Sequence, residues 1–190
     1  MDKNLYRAIL AVWLCAGAVW LVSAASLKSI ARVEGQGSRL VHLLIMTAAF
    51  LLIFDPRLNV GRLNGRFVED GPPAWWIGLA LTVAGVAFAI WARFALGGNW
   101  SANVTVKQNH ELKRTGPYAF VRHPIYSGFL LGLLGTAIAF GEWRDLIGVV
   151  LALIGWRGKS LIEERFMTEQ FGEQYQQYKR EVKALIPFVY

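Results

Sequence analysis

The sequence predicts an all-α integral membrane protein, with about five transmembrane helices, the last two paired as a hairpin, and a C-terminal helical segment facing the cytoplasm. Three observations predict it. Of 190 residues, 55% are hydrophobic and 17% charged, with a mean hydropathy of +0.37, where a soluble domain carries about 25% charged residues. The apolar residues gather into five runs separated by polar connectors, and the Lys and Arg residues are spread unevenly over those connectors. A net charge of +7 arranged in this way serves topology and anionic lipid, and excludes a nucleic-acid reading. Cys15 is the sole cysteine, so no intramolecular disulfide and no cysteine metal cluster can form, and no metal site is expected.

The first run, residues 5–25, carries only Arg7 and is long enough to cross a hydrocarbon core of about 30 Å. It is long for a signal peptide, and similar runs follow it. Residues 27–39 form a connector with Lys28, Arg32 and Arg39, in which Gly35 and Gly37 are expected to break regular structure. The second run, 40–54, ends at Asp55 and Pro56, and its His42 is expected to be interfacial and solvated. The third, 74–96, opens after Pro72 and Pro73 with Trp75 and Trp76 and closes near Trp91 and Arg93, as interface anchors do. Its Gly78 and Gly85 offer a face for close helix packing.

Residues 97–115 are polar, and the alternation in NVTVK (103–107) suggests a short extended piece. The stretch GPYAFVRHPIYSG (116–128) follows. Pro124 fixes its own φ and drives His123 out of the helical region, so a helix is expected to start with Pro124 near its first position and His123 beside the cap. Two more apolar runs, 125–140 and 146–160, flank a turn at 141–145. The strictly apolar part of the second, 146–156, gives a helix only about 16 Å long. Either the helix continues through Arg157 and Lys159 with their side chains snorkelling, or the last two runs form a shallow hairpin. The chain then turns amphipathic and ends on an apolar tail, either a lid or an interfacial anchor. Residues 1–190 read as a single membrane domain whose chemistry lies in 97–190.

With five passes, fourteen Lys and Arg residues fall on one side and six on the other, which places the 116–128 stretch and the C-terminal segment together at the cytoplasm. Arg122 and His123 as donors, Tyr118 and Tyr126, a helix N-terminus and the pair Glu163 and Glu164 then suit a zwitterionic ligand, its carboxylate at the helix start and its amine or hydroxyls on a glutamate. Lys159 and Glu163 share a helix face; from the residues alone a surface salt bridge is the simpler reading of that pair. Arg165, Glu169, Glu173, Lys179 and Arg180 are expected on a solvated face, and Tyr175 and Tyr178 are expected to pack the terminal helix.

GPYAFVRHPIYSG, followed some 35 residues later by EERFMTEQFGEQYQQYKREVKALIPF, resembles the isoprenylcysteine carboxyl methyltransferase family and related membrane phospholipid methyltransferases. The composite covers about the last 80 residues in the family's order. The resemblance implies S-adenosyl-L-methionine at the cytoplasmic face, bound by His110, Glu111, Leu112, Lys113, Tyr118, His123, Pro124, Ile125, Tyr126 and Glu163. It implies a lipid or prenylated acceptor arriving from the bilayer, most simply an isoprenylcysteine-like carboxylate. An arginine expected one turn before the glutamate is replaced by Lys159, with Arg157 nearby. The alternatives are a phospholipid or amine N-methyltransferase, in which Glu164 or a tyrosine takes a proton, an NADPH-dependent membrane reductase, and a membrane protein without enzymatic activity.

Overall fold

The computed structural model describes residues 2–23, 30–33, 35–97, 105–107, 112–187 and 189. Among the described residues six α-helices carry the fold: α1 (Lys3–Ser23), α2 (Gln36–Phe54), α3 (Pro72–Leu96), α4 (Pro124–Phe140), α5 (Trp143–Phe171) and α6 (Glu173–Glu181). Two short strands, β1 (Ile30–Val33) and β2 (Thr105–Lys107), pair antiparallel, with Ile30 opposite Lys107 and Val33 opposite Thr105. The helices α1, α2 and α3 are each long and apolar enough to cross a membrane, with a mean hydropathy of 1.9. Large apolar side chains such as Leu14, Leu21, Leu43, Leu44 and Trp76 face outward from them, as lipid contact requires and a water-exposed surface would not tolerate. The chain is a membrane protein.

Two glycine seams hold the helices together. The α3–α4 seam is so close that a Cβ on Gly85 would stand 2.4 Å from the Gly132 nitrogen and one on Gly78 would stand 2.5 Å from the Gly135 carbonyl oxygen. Backbone approach of this kind replaces the hydrophobic driving force that lipid removes. Thr82 sits in this seam and donates to the Gly78 and Gly132 carbonyls. Trp13 of α1 donates to Thr136 of α4 at 3.0 Å, pinning α1 to the same pair. In the second seam, α2 meets α5 where Gly148 lies under Ala49 and Ile53, and Gly155 under Met46 and His42.

Several elements differ from the sequence reading. α2 begins at Gln36 and contains Gly37; Gly35 alone ends the connector, because one residue in extended conformation is sufficient to cap the helix. His42 is half-buried, and its Nδ1 lies 3.1 Å from the Gly155 carbonyl oxygen. The expected solvated position fails because Gly155 has no side chain and admits the ring. The last apolar run is part of one continuous helix of 29 residues, about 43 Å long, which carries Arg157, Lys159, Glu163 and Glu164 beyond the apolar zone.

Both ends of the bundle are tied. At one end β1 pairs with β2, and Arg93 donates to the Ser23 carbonyl at 2.7 Å. At the other, Arg66 and Glu142 form an antiparallel backbone β-bridge, in which Phe67 N–H donates to the Gly141 carbonyl and Trp143 N–H to the Gly65 carbonyl. The end carrying β1 and β2 also carries the start of α4 and the end of α5.

Candidate functional site

The site begins with a reversal of the backbone. A 3₁₀ turn, Gly116–Ala119, opens on Gly116 at φ +62°, a conformation that glycine adopts without strain. The turn buries Tyr118, whose hydroxyl donates to the Ala92 carbonyl of α3 at 3.4 Å. His123 then takes a non-helical conformation (φ −122°, ψ 61°) as the cap of α4, with Pro124 in its first turn, as the His-Pro sequence predicts.

The His123 ring lies between two carboxylates on neighbouring residues of α5. Its Nδ1 is 3.2 Å from Glu163 Oε2 and its Nε2 is 3.3 Å from Glu164 Oε1. Ionised carboxylates only accept, so this geometry requires a proton on both ring nitrogens, an imidazolium. Burial works against that charge, but the hydrogen bonds to Glu163 and Glu164 outweigh it and raise the His123 pKa above its ordinary value. Burial likewise opposes ionisation of both glutamates, and again the partners win. The bonds from His123 and Arg122 hold Glu164 far below the usual carboxylate range, and His123, Lys159 and Tyr126 hold Glu163 low.

The two glutamates differ in what surrounds them. Glu164 is 6% exposed; it receives Arg122 at 2.6 Å and Lys179 at 3.1 Å besides His123. Glu163 keeps a quarter of its side chain open to solvent and accepts from the Tyr126 hydroxyl at 2.5 Å. The Tyr126 ring stacks on His123 at 5.7 Å on one side and on Trp156 at 6.0 Å on the other. One partly open carboxylate therefore stands at the edge of a column of stacked rings.

The C-terminal tail closes the other side. Arg122 N–H donates to the Lys183 carbonyl at 2.8 Å and His123 N–H to the Ala184 carbonyl at 3.0 Å. The Arg122 guanidinium reaches the Lys179 and Val182 carbonyls, and the Ser127 hydroxyl the Leu185 carbonyl at 2.5 Å. Tyr178 of α6 donates to the Tyr118 carbonyl at 2.5 Å, and Arg114 pairs with Glu181.

Tyr118, His123, Pro124, Ile125, Tyr126, Glu163 and Glu164 are thus brought to one place, as the sequence suggests, and Lys159 lies near enough for its charge to act on Glu163. Leu112 and Lys113 lead into the Gly116 turn; His110 and Glu111 lie outside the described residues. Arg157 donates to Ser160 Oγ at 3.3 Å, along its own helix. Three expectations change. Arg122 and His123 face Glu163, Glu164 and tail carbonyls rather than an open anion site, since buried glutamates need those cations more than solvent does. Lys179 is not on a solvated face but on Glu164. Glu164, proposed as a proton acceptor, is held ionised by three cations, which removes its basicity. No cluster able to hold a metal ion is present among the described residues.

The phospholipid methyltransferase family model matches residues 73–174, just over half of the chain. The chain is 35% identical over 98 residues to a protein-S-isoprenylcysteine O-methyltransferase of Schizosaccharomyces pombe, an alignment covering 49% of this chain and 41% of that protein. It is 29% identical over 123 residues to protein-S-isoprenylcysteine O-methyltransferase B of Arabidopsis thaliana (60% and 61%). The mouse enzyme of the same name is 33% identical over 117 residues (59% and 41%). These alignments span between about two-fifths and three-fifths of the relatives' lengths. Among solved structures, the eukaryotic intramembrane Ras methyltransferase ICMT (isoprenylcysteine carboxyl methyltransferase) superposes with a TM-score of 0.51 at 22% identity, covering 83% of this chain and 55% of that one, a likeness of fold.

Proposed function

We propose that this chain, which belongs to the phospholipid methyltransferase family, is an S-adenosylmethionine-dependent methyltransferase of a membrane-embedded or lipidated carboxylate, of the isoprenylcysteine class. The observation that carries the reading is the division of labour between neighbouring glutamates: Glu164 is saturated by three cations, whereas Glu163 is ionised, a quarter open and flanked by stacked rings.

That donor set fits the methyl donor. An ionised carboxylate accepts from ribose hydroxyls or an ammonium, and aromatic faces receive a sulfonium. Glu163, Tyr126, His123, Pro124, Ile125 and Tyr118 would hold it, with Leu112 and Lys113, and with His110 and Glu111 from the preceding connector. When bound, it supplies an activated methyl group for in-line transfer. The protein's own work is positioning. His123 holds Glu163 ionised and oriented, the rings exclude water, and Lys159, with Arg157, draws the acceptor carboxylate toward the site.

A carboxylate acceptor is already ionised at neutral pH and needs no base. An amine acceptor does, and the site is poor in bases: Glu164 is held by Arg122, His123 and Lys179, and burial pushes the Tyr118 hydroxyl far up. This favours the carboxyl reading over phospholipid N-methylation. The excess of basic residues at this end supports placing it in the cytoplasm. The experiment is transfer of labelled methyl from S-adenosylmethionine to a farnesylcysteine analogue and, in parallel, to phosphatidylethanolamine in the same vesicles. The reading expects label on the first only. Label on the second alone would replace it with the amine reading.

A further inference from the structure

The tail segment from Val182 to Leu185 is held in an unusual way. Four successive carbonyls are taken in order by the Arg122 guanidinium, the Arg122 N–H, the His123 N–H and the Ser127 hydroxyl. Ala184 and Leu185 are buried under this strap, while Ile186 beyond it is exposed. The strap therefore lies along the same six residues, Arg122 to Ser127, that start α4 and contribute His123, Pro124, Ile125 and Tyr126 to the site. One side chain serves both structures. The Arg122 guanidinium places Nε and Nη2 on Glu164 Oε1 (3.1 and 2.6 Å) and Nη1 on the Lys179 and Val182 carbonyls. Glu164 in turn shares His123 with Glu163.

From this geometry we propose that Arg122 is a positioning residue that couples the C-terminal strap to the donor half of the site, so that strap docking and retention of the methyl donor are one event. The inference rests on the donor assignment above and adds to it a route of exchange. With the strap docked, Arg122 is fully engaged, Glu164 is neutralised, and His123 is held for Glu163. With the strap lifted, the guanidinium loses its carbonyl acceptors, the cap of α4 loses two N–H partners, and the His123–Glu163 pair loses its backing. The donor then leaves from that side. Lysine in place of Arg122 keeps a charge for Glu164 but lacks the planar fork that serves carboxylate and carbonyls together.

The test has two readouts on the full chain in lipid nanodiscs. The first is hydrogen exchange of the Arg122 and His123 amides, which the strap carbonyls protect. The second is the dissociation rate of labelled S-adenosylmethionine. The variants are Arg122→Lys, Ser127→Ala, and a chain ending at Val182. Faster amide exchange and a dissociation rate raised about tenfold are expected in all three, least in Ser127→Ala, with slower exchange in wild type on donor binding. A purely structural role would lower the melting temperature and leave the dissociation rate unchanged, and that result overturns the proposal. Ser127→Ala removes only the hydroxyl's bonds to the Leu185 and His123 carbonyls, so it reports even if the shortened chain fails to fold. If wild type binds no donor, the donor assignment fails by itself, and Arg122→Lys leaving amide exchange unchanged would sink the coupling separately.

Discussion

The two ends of the bundle use the same kit of arginine, glutamate and main-chain carbonyls to different ends. At the end opposite the site, Arg144 donates to Glu142 and to the Leu52 and Asp55 carbonyls. Glu142 also accepts from Asn64 and closes a capping box with Asp145 at the start of α5. Those bonds join loop to helix end, and the stacked pair nearby, Tyr6 on Phe140 at 5.6 Å, packs in the core. At the site end, Arg122 and Glu164 form a comparable clasp, but it leaves the adjoining Glu163 partly open beside Tyr126 and Trp156. The Glu142 knot is no more closed, since 27% of the Glu142 side chain is exposed and Asp145 Oδ1 is buried without a partner, but its bonds all tie loop to helix end. What sets the site end apart among the described residues is that its open glutamate accepts from Tyr126, whose ring stacks on His123 and Trp156.

The comparison is open to breaking, beginning with its largest consequence. Glu164→Ala should cost about 3–5 kcal/mol, because it strands a buried Arg122 and His123, and a thermal melt in detergent would show it together with loss of donor binding. The counterpart at the other end, Arg144→Ala, should cost about 1–3 kcal/mol by leaving buried acceptors unpaired, with donor affinity unchanged. Equal loss of affinity in both variants would show that the two knots do not differ in function. Between the knots, Gly85→Ala forces a methyl to within 2.4 Å of the Gly132 nitrogen and should destabilise by about 1–3 kcal/mol. Gly17→Ala, with nothing within 4 Å of the added atom, should be neutral in the same melt.

The smallest effect is one of pH. His123 is raised in the folded chain by its glutamates, so its contribution is complete below its ordinary pKa and is lost as pH rises through the folded value. Asp145 is pushed up to about 7 by burial, which gives the opposite end a loss of the same sign nearer neutrality. Melting temperature should therefore fall with rising pH in two stretches, one complete by about pH 7 from Asp145 and one above the ordinary histidine value from His123. Asp145→Asn should remove the stretch that ends near pH 7 without touching donor affinity, whereas His123→Gln should remove the other and weaken binding.

Much of this was legible in the chain. The His-Pro step announces the start of α4, the NVTVK alternation contains β2, and Tyr175 and Tyr178 are buried as packing residues. These are local signals, dictated by backbone sterics or side-chain type. What sequence hid is held by the main chain or by tertiary approach. The strap is recognised through its carbonyls, which every residue has. Lys179 reaches Glu164 across a helix break at Gly172, and His42 finds its place through the absence of a side chain at Gly155. The sequence shows that Arg122 and His123 sit beside a helix start, but the identity of the anion they meet is decided by α5.

The most direct measurement is calorimetric titration of the detergent-purified chain with S-adenosylmethionine, with NADPH alongside, for wild type, Glu163→Gln and Arg144→Ala. Binding by wild type and Arg144→Ala, its loss in Glu163→Gln while that variant still melts cooperatively as a folded chain, and no heat from NADPH are the results predicted. Folded wild type that takes up no S-adenosylmethionine, or a Glu163→Gln variant that binds it as wild type does, would contradict the assignment of Glu163 as the open member of the site.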